Sequence, residues 1–521
     1  MPDLKKVFMN PVEKGRSFFQ GFSIVFWAVI LVAIFRAFVV PIEMEDGWWH
    51  LSAGRWMAEH RQVPREDVFS FTDERGPWQL TQWLGSAIFY GVYQIGDVPG
   101  LIVFRAVFFT LIFAVFVGYA YHKKTPLPLL IVLIFLLFHA LESRNLLRPL
   151  IFNLIFISVF LMLLYSHQKT GDPRRLFLLP VLGIFWANLH LGSFVYGHVI
   201  FAAFFISAML EHLFARRQGN AATARREAQH ARDLGLIWCA YLFVFFINPY
   251  GAEGFLYPFK VFLLPEFINF YKFKGIVDEM GSPLQMYGGP AWIPFLVLIV
   301  MVLHAVGKSE KRNWASMVLF GAALGLFLAS VRAVDFFALT SGYIILASMP
   351  AGVPQSLRPP GSSRVNEMIL MGVIILALGF CALNPSNPWT AHCSRQKKDF
   401  IRMGDAAAAV EFLKKKNIRG SVFNDEHFGG YLIWSAYPQL RAFVDGRQAD
   451  QEKFQLYLAV LQRPEEFWEK ADGHNQFDLI LLDPRLAHSK KMIRYLARQP
   501  QWRMVFHDGN AVVYVRYGLG A

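Results

Sequence analysis

Long apolar stretches separated by short polar loops fill most of the chain up to residue 384. Each approaches the length that crosses a hydrocarbon layer of ~30 Å as a helix. The pattern predicts about eleven membrane spans, at residues 19–41, 100–121, 127–141, 150–166, 176–189, 194–213, 234–248, 290–306, 314–331, 335–350 and 367–384. The sequence therefore predicts a polytopic α-helical membrane protein.

Basic residues set the expected orientation. With a cytoplasmic N-terminus, the basic clusters fall in inner loops, as the positive-inside rule requires. These clusters are residues 122–124, 168–175, 216–232, 308–312 and 358–364. The segment 79–95 is apolar enough to be a further span, but counting it would invert all later loops. We therefore expect it to be an amphipathic helix on the membrane surface.

The pattern changes after the last span. Shorter segments with the periods of helices and strands predict an extracytoplasmic α/β domain at residues 391–521. The helices are expected within residues 397–420 and 429–438, and the strands at 421–425, 440–446, 477–483, 502–508 and 511–517. Residues 1–390 form the predicted membrane domain, whose long outer loops 42–99 and 249–289 exceed what connectors need.

Composition agrees with a membrane protein, since 55% of the 521 residues are hydrophobic and 17% are charged. The net charge of +13 would suit a nucleic-acid partner, but the basic residues lie in the short loops, so orientation explains the charge and no nucleic acid is expected. Cys239, Cys381 and Cys393 have no paired spacing of a zinc site, and Cys381 and Cys393 can form at most one disulfide.

Acidic and aromatic residues follow the first span directly. Glu45 and Asp46 are followed by Trp48 and Trp49. Ionisable groups at a membrane boundary are costly and are usually functional. Other polar residues near the spans also fall on the predicted outer side, so we expect the chemistry on that face.

These residues carry a resemblance. The stretch from Glu45 through GWWHLSAGRWM, then Pro64, Asp67, TQWLG and Arg105, resembles the first outer loop of the GT-C glycosyltransferases, which include protein O-mannosyltransferases, aminoarabinose transferases and oligosaccharyltransferases. The two long outer loops and the terminal α/β domain resemble the same plan. The combination of RNLLRPLIFN, WANLHLGSF, NPYG, VDEMGSP, SVRAVDFFAL, VFNDEHFGGYLIW and FVDGR looks like a group of bacterial membrane proteins.

The resemblance implies a location in the bacterial cytoplasmic membrane, with the C-terminal domain in the periplasm. It also implies a sugar donor linked to a polyprenyl phosphate and a lipid, glycan or protein acceptor. The outer domain lacks the Trp-Trp-Asp motif of oligosaccharyltransferases, which disfavours transfer of a whole oligosaccharide to asparagine.

Such a reaction needs an acid that deprotonates or orients the acceptor. Asp46 matches the family's catalytic acid, with Glu45 in its place if the register differs by one residue. His50 lies four residues later, on the same face of a helix, where it would relay a proton or bind sugar. The alternative is that these groups are simply solvated at the interface.

Arginines suit the leaving phosphate, because their guanidinium groups bind it with two hydrogen bonds. Arg105, Arg148 and Arg332 each lie near the outer end of a span and are the candidates. The alternative for each is a contact with lipid headgroups.

The remaining candidates would line the cavity or hold the acceptor: Asn188, His190, Glu279, Asp425 and Asp445. Glu279 would orient the acceptor or bind a divalent cation such as Mg²⁺ or Mn²⁺, although most relatives of the aminoarabinose and mannosyl type need no metal. Asp425 and Asp445 follow strands, where α/β sheets bind ligands, but glycines at these turns also serve geometry alone.

Two functions from different classes fit the sequence. One is a glycosyltransferase, and the other is a non-catalytic scaffold subunit of the same fold that binds a partner through its outer domain.

Overall fold

The protein consists of a helical bundle followed by a domain built on a small sheet. The computed structural model describes residues 26–71, 78–142, 144–263, 282–286, 292–309, 313–348, 401–402, 406–447 and 451–518. The helices before the second domain are α1 Phe26–Phe38, α2 Glu45–His60, α3 Trp83–His122, α4 Leu127–Glu142, α5 Ile151–Thr170, α6 Leu178–Leu189, α7 Phe194–Arg217, α8 Ala221–Phe243, α9 Ala252–Leu263, α10 Pro283–Met286, α11 Ile293–Gly307, α12 Trp314–Ala329 and α13 Val334–Ser348.

Within the described residues, four helical segments are long and apolar enough to cross a membrane: Trp83–His122, Ile151–Thr170, Leu191–Arg217 and Val331–Ser348. α1, α4, α11 and α12 are apolar but shorter. A helix occupies each predicted span up to residue 350. The span predicted at 367–384 lies outside the described residues, so the count of about eleven stays a prediction.

Helix α3 includes two segments that the sequence predicts as separate, the surface helix at 79–95 and the span at 100–121. Asp97 has φ 53° and interrupts the helix, and its carboxylate accepts a hydrogen bond from the Val98 N–H at 2.8 Å. Pro99 lies two residues further on and lacks the N–H that would continue the helical hydrogen bonds across this point. From Trp83 onward the segment 79–95 is thus a helix distinct from the following span, and its position on the membrane surface stays a prediction.

The C-terminal domain is a five-stranded mixed sheet in the order β4-β3-β5-β7-β6. β3 pairs in parallel with β4 and β5, and β7 pairs antiparallel with β5 and β6. The strands are β3 Gly420–Asn424, β4 Leu440–Ala442, β5 Leu479–Leu482, β6 Trp502–His507 and β7 Val512–Arg516, and the helices are α14 Ala407–Lys415, α15 Glu426–Ala436, α16 Gln451–Gln462, α17 Pro464–Asn475 and α18 Ala487–Leu496. All five predicted strands are confirmed, whereas α16 to α18 were not predicted.

The sheet buries both of its faces, as the alternation along β3 shows. Phe423 packs with the helices α16 and α17, and its neighbour Val422 packs in a cluster that includes Trp49 and Phe69 from the first outer loop. Successive strand residues point to opposite faces. One face of the C-terminal domain therefore rests on the loop that follows the first span.

Aromatic and backbone contacts complete this junction. Trp434 of α15 stacks on Trp48 with ring centroids 6.1 Å apart, and the guanidinium of Arg55 lies 4.4 Å from the Trp434 ring. The short strands β1 Ile42–Glu43 and β2 Ile401–Arg402 pair in parallel. The start of α2 and the C-terminal domain are consequently held side by side.

Candidate active site

Asp46 lies at the N-terminus of α2 and contacts an arginine. Its Oδ2 is 2.6 Å from Arg148 Nε, and its Oδ1 accepts a hydrogen bond from Trp49 Nε1 at 3.0 Å. Both charged side chains keep about a fifth of their surface exposed, 21% for Asp46 and 24% for Arg148. The helix dipole also favours a carboxylate in the first turn. The structure thus brings two predicted site residues together in a position that solvent reaches.

The C-terminal domain covers one side of this carboxylate. A Cβ placed on Gly446 would overlap Asp46 Oδ1, so only a residue without a side chain permits this approach. The side chain of Glu45, the alternative acid, lies outside the described part of the chain.

A buried ionic bridge holds Gly446 in place. Arg447 donates to Asp67 Oδ1 at 2.7 Å and to both oxygens of Asp445, at 2.7 and 2.6 Å. Its guanidinium also lies 4.7 Å from the Trp78 ring and 5.0 Å from the Phe69 ring. The side chain of Arg447 is 1% exposed. Asp445 therefore accepts hydrogen bonds from Arg447, two residues further along, and its oxygens are not free to bind an acceptor.

The bridge shifts the pKa of both ends. Burial raises the pKa of Asp67, but the charge of Arg447 and hydrogen bonds from Ser70, Arg447 and Phe69 outweigh it, and the net shift is downward. Burial opposes the charge on Arg447, yet the two carboxylates raise its pKa overall. Asp67 and Arg447 are therefore both ionised over the physiological range of pH.

His50 is buried behind Asp46. Its Nδ1 lies 2.8 Å from Ser86 Oγ, and its ring stacks on Trp49 with centroids 3.6 Å apart. Burial lowers the pKa of His50 well below its usual value, and the charges of Arg148 and His190 lower it further. His50 is neutral, and its contacts suit a positioning role better than a contact with sugar.

His190 is the next buried group in this region. Its Nδ1 accepts the N–H of Ser193 at 3.1 Å and lies 2.6 Å from Ser193 Oγ, so the ring proton is on Nε2. Burial lowers the pKa of His190 to about 3, its backbone hydrogen bond opposes this shift, and the charges of Arg332 and Arg144 add to it. Arg332 thus lies close enough to His190 for its charge to act on that ring.

A hydrogen-bond network fixes the helix ends around His190. Asn153 donates to Ser193 Oγ at 2.5 Å and accepts from Trp186 Nε1 at 2.9 Å. Asn188 accepts from Trp83 Nε1 at 2.8 Å and donates to the carbonyls of Ile184 and Ile247. The amide of Asn188 is used by the protein, which indicates a structural role.

Arg105 is placed differently from the expected phosphate ligand. Its side chain is fully buried, and it donates to the carbonyls of Phe38, Val40 and Asn145. These carbonyls belong to the segments that lead to Asp46 and Arg148. The geometry argues against a direct contact with phosphate and indicates that Arg105 positions both segments.

Asp425 also serves the protein interior. Its Oδ2 accepts from the Asp483 N–H at 2.6 Å and from Ser489 Oγ at 2.8 Å, and its Oδ1 accepts from Tyr457 at 3.2 Å. Burial raises the pKa of Asp425, against the hydrogen bond from Asp483 and the charge of His427. The carboxylate has no surface that an acceptor can reach.

The described residues do not form a metal site here. Across the described ranges, no three or more His, Cys, Asp or Glu side chains are arranged to hold an ion. Both oxygens of Asp46 have protein partners. Glu279 lies outside the described residues, and we derive no step through a metal.

Arg447 is the most important residue that the sequence did not single out. The motif Asp445-Gly446-Arg447 predicts the end of a strand, and nothing in it indicates a partner 380 residues away. The arginine flanked by a glycine was the available signal, because a close backbone approach needs glycine.

The structure resembles solved structures of an archaeal oligosaccharyltransferase. No family model matches the sequence, and no curated protein matches it. The structure is similar to the archaeal oligosaccharyltransferase AglB from Archaeoglobus fulgidus in complex with an inhibitory peptide and a dolichol-phosphate, with a TM-score of 0.55, 11% identity, and coverage of 89% of this chain and 70% of that one. The chain has a GT-C-type oligosaccharyltransferase fold.

Two further structures of the Archaeoglobus enzyme agree. The apo form gives a TM-score of 0.54 at 10% identity, over 88% of this chain and 69% of that one, and the complex with Zn and sulfate gives 0.51 at 11%, over 92% and 69%. The resemblance to GT-C proteins is therefore confirmed for the fold. At this identity the GT-C fold carries over, while the donor, the acceptor, the bacterial subgroup and the roles of individual residues stay predictions.

Proposed function

We propose that this protein is a membrane glycosyltransferase that takes a sugar from a polyprenyl-phosphate donor and transfers it to a lipid, glycan or protein acceptor. The observation that carries the proposal is the contact between Asp46, at the N-terminus of α2, and Arg148, which leaves about a fifth of each side chain exposed in a GT-C fold. The AglB structure in complex with dolichol-phosphate and a peptide supports a lipid-linked donor.

Asp46 and Arg148 have different roles in the proposed reaction. Asp46 accepts the proton of the acceptor hydroxyl as the acceptor oxygen bonds to the anomeric carbon. The bond from that carbon to the phosphate oxygen breaks, and the polyprenyl phosphate leaves with the bonding electrons. Arg148 neutralises the negative charge of this phosphate. His50, Arg105 and Arg447 position the two reacting side chains through the contacts described above.

The proposed orientation places this site outside the cytoplasm. Basic residues lie at the other ends of the helices, namely Lys123, Lys169, Arg216, Arg217 and Lys308. That distribution matches inner loops. A membrane-impermeant maleimide should label Lys470→Cys in intact cells and Arg217→Cys only after permeabilisation. The opposite pattern would overturn the orientation.

Transfer by the purified full-length protein tests the function. A panel of polyprenyl-phosphate sugars would be offered with total membrane extract, lipids included, as the source of acceptor. The double variant Glu45→Gln/Asp46→Asn should lose ~10²-fold or more of the rate, which is the contribution expected of a general base. Glu59→Gln is the matched control, since Glu59 is exposed on the same helix.

Arg148→Met should lower kcat because the leaving phosphate loses its counter-charge. The exposed Arg61→Met is the control. Full transfer by both the acid and the Arg148 variants would contradict the proposal. Absence of transfer by the wild type, together with a stoichiometric copurifying protein, would instead favour the scaffold.

A further inference from the structure

Two buried histidines lie far from the proposed active site. His167 is in the last turn of α5, and His230 is in α8. At 1.5 Å per helical residue, His167 is roughly 28 Å from the level of Arg148. The pair therefore belongs to the opposite end of the bundle, and its role does not depend on the proposed transfer.

The two rings are neighbours. Their centroids are 5.0 Å apart, with an angle of 52° between the planes, and both residues are buried, at 2% and 5% exposure. Gly171, which caps α5 in the left-handed region with φ 74°, lies beside them. A Cβ at Gly171 would come within 3.2 Å of His230 Nε2, so the glycine keeps the space beside this nitrogen open.

Hydrogen bonds determine which nitrogen of His167 carries the proton. Nδ1 lies 3.1 Å from the carbonyl oxygen of Asp172, and a carbonyl only accepts, so Nδ1 is the donor. Nε2 of the neutral ring then presents a lone pair. This atom is buried and has no hydrogen-bond partner within the described residues, which is costly unless a ligand supplies one.

The Nδ1 of His230 also faces an acceptor. It lies 3.3 Å from Glu227 Oε2, and a carboxylate only accepts, so in the neutral ring Nδ1 carries the proton and Nε2 presents the lone pair. A histidine that donates one N–H to a carbonyl or carboxylate and offers its other nitrogen has the geometry of a metal ligand with its supporting acceptor.

We propose that His167 and His230 bind a d¹⁰ transition-metal cation through their Nε2 atoms. Neutral imidazole is a preferred ligand of zinc and copper. No third His, Cys, Asp or Glu ligand joins the pair within the described part of the chain. Cu⁺ accepts two ligands, whereas Zn²⁺ would complete its shell with water. The experiment therefore tests the two ions separately.

Metal content measures the site directly. Full-length protein without a histidine tag would be stripped with a chelator, dialysed against Zn²⁺ or, anaerobically, against Cu⁺, and analysed by plasma mass spectrometry. For at least one of the two ions, we expect the wild type to bind one equivalent of metal. His167→Gln and His230→Gln should each lose this equivalent. The double variant His474→Gln/His507→Gln, at exposed positions in the C-terminal domain, should keep it.

Thermal unfolding gives an independent readout if one variant folds poorly. An ion that binds only the folded state raises the Tm of the wild type, and the rise grows with the logarithm of the free ion concentration once that exceeds Kd. Glu227→Gln should weaken binding by about 10- to 100-fold, because Glu227 is the supporting acceptor of His230. Equal metal content in wild type and His230→Gln, or no rise in the wild-type Tm with either ion, would overturn the proposal.

Discussion

Arg447 of the C-terminal domain donates a 2.7 Å hydrogen bond to Asp67 of the first outer loop, across 380 residues of chain. The same guanidinium binds Asp445. Because the next residue in the chain, Gly446, touches Asp46, this bridge decides how the C-terminal domain sits on the proposed catalytic acid.

Arg447→Met should destabilise the protein by about 3–5 kcal/mol, because the substitution leaves two buried carboxylates without a counter-charge. Chemical unfolding in detergent, followed by tryptophan fluorescence, measures the change. Arg441→Met, at an exposed position of β4, should change stability little. If Arg447→Met lowered the free energy of unfolding only as much as Arg441→Met does, the bridge would contribute nothing to stability.

Gly446→Ala should lower transfer while leaving the fold intact, because the added methyl group displaces the carboxylate of Asp46. One methyl group at the surface of a domain has little other effect. The measurement is kcat together with the unfolding midpoint. Gly473→Ala, where a Cβ meets no neighbouring atom within 4 Å, is the control. An unchanged kcat in Gly446→Ala would show that this glycine does not affect the position of Asp46 in the proposed active site.

Arg105→Met should reduce stability by several kcal/mol and abolish activity indirectly, since three carbonyls lose a charged donor. Arg105→Lys should recover part of the stability. A direct phosphate ligand would behave differently, with a raised KM for the donor and an unchanged unfolding midpoint. Steady-state kinetics and thermal unfolding of the two variants distinguish these cases.

His190 should make the protein less stable in mild acid. Its pKa is about 3 in the folded state against 6.5 in the unfolded chain, so between these values the unfolded state binds the extra proton. The free energy of unfolding then falls as the pH decreases, by about 1.4 kcal/mol per pH unit for this group.

Replacing His190 with glutamine should remove that share of the slope between pH 6 and pH 4. The exposed His474→Gln should leave the slope unchanged. Identical slopes in wild type and His190→Gln would show that the folded protein protonates His190 readily.

Local pattern was sufficient for most of the fold. Long apolar runs located the bundle helices, and the alternation in residues 421–425 and 477–483 located two central strands. No element is predicted from the sequence for residues 451–475 and 487–496, where α16 to α18 lie. The pairing of β1 with β2 joins segments too distant for any local signal.

The candidate site was only partly predictable for a related reason. A motif can identify Asp46 and Arg148, because their chemistry is visible in the residue types. It cannot tell whether an arginine near a helix end contacts a carboxylate, as Arg148 does, or backbone carbonyls, as Arg105 does. That distinction depends on tertiary packing, as does the burial of Asp425.

The ladder between Ile42 and Ile401 joins the backbone just before Asp46 to the backbone that leads into the C-terminal domain. Because these two hydrogen-bonded segments are coupled, a tilt of the C-terminal domain would pull on the strand that precedes Asp46. In the proposed transferase, a tilt that admits an acceptor would therefore also move the proposed general base.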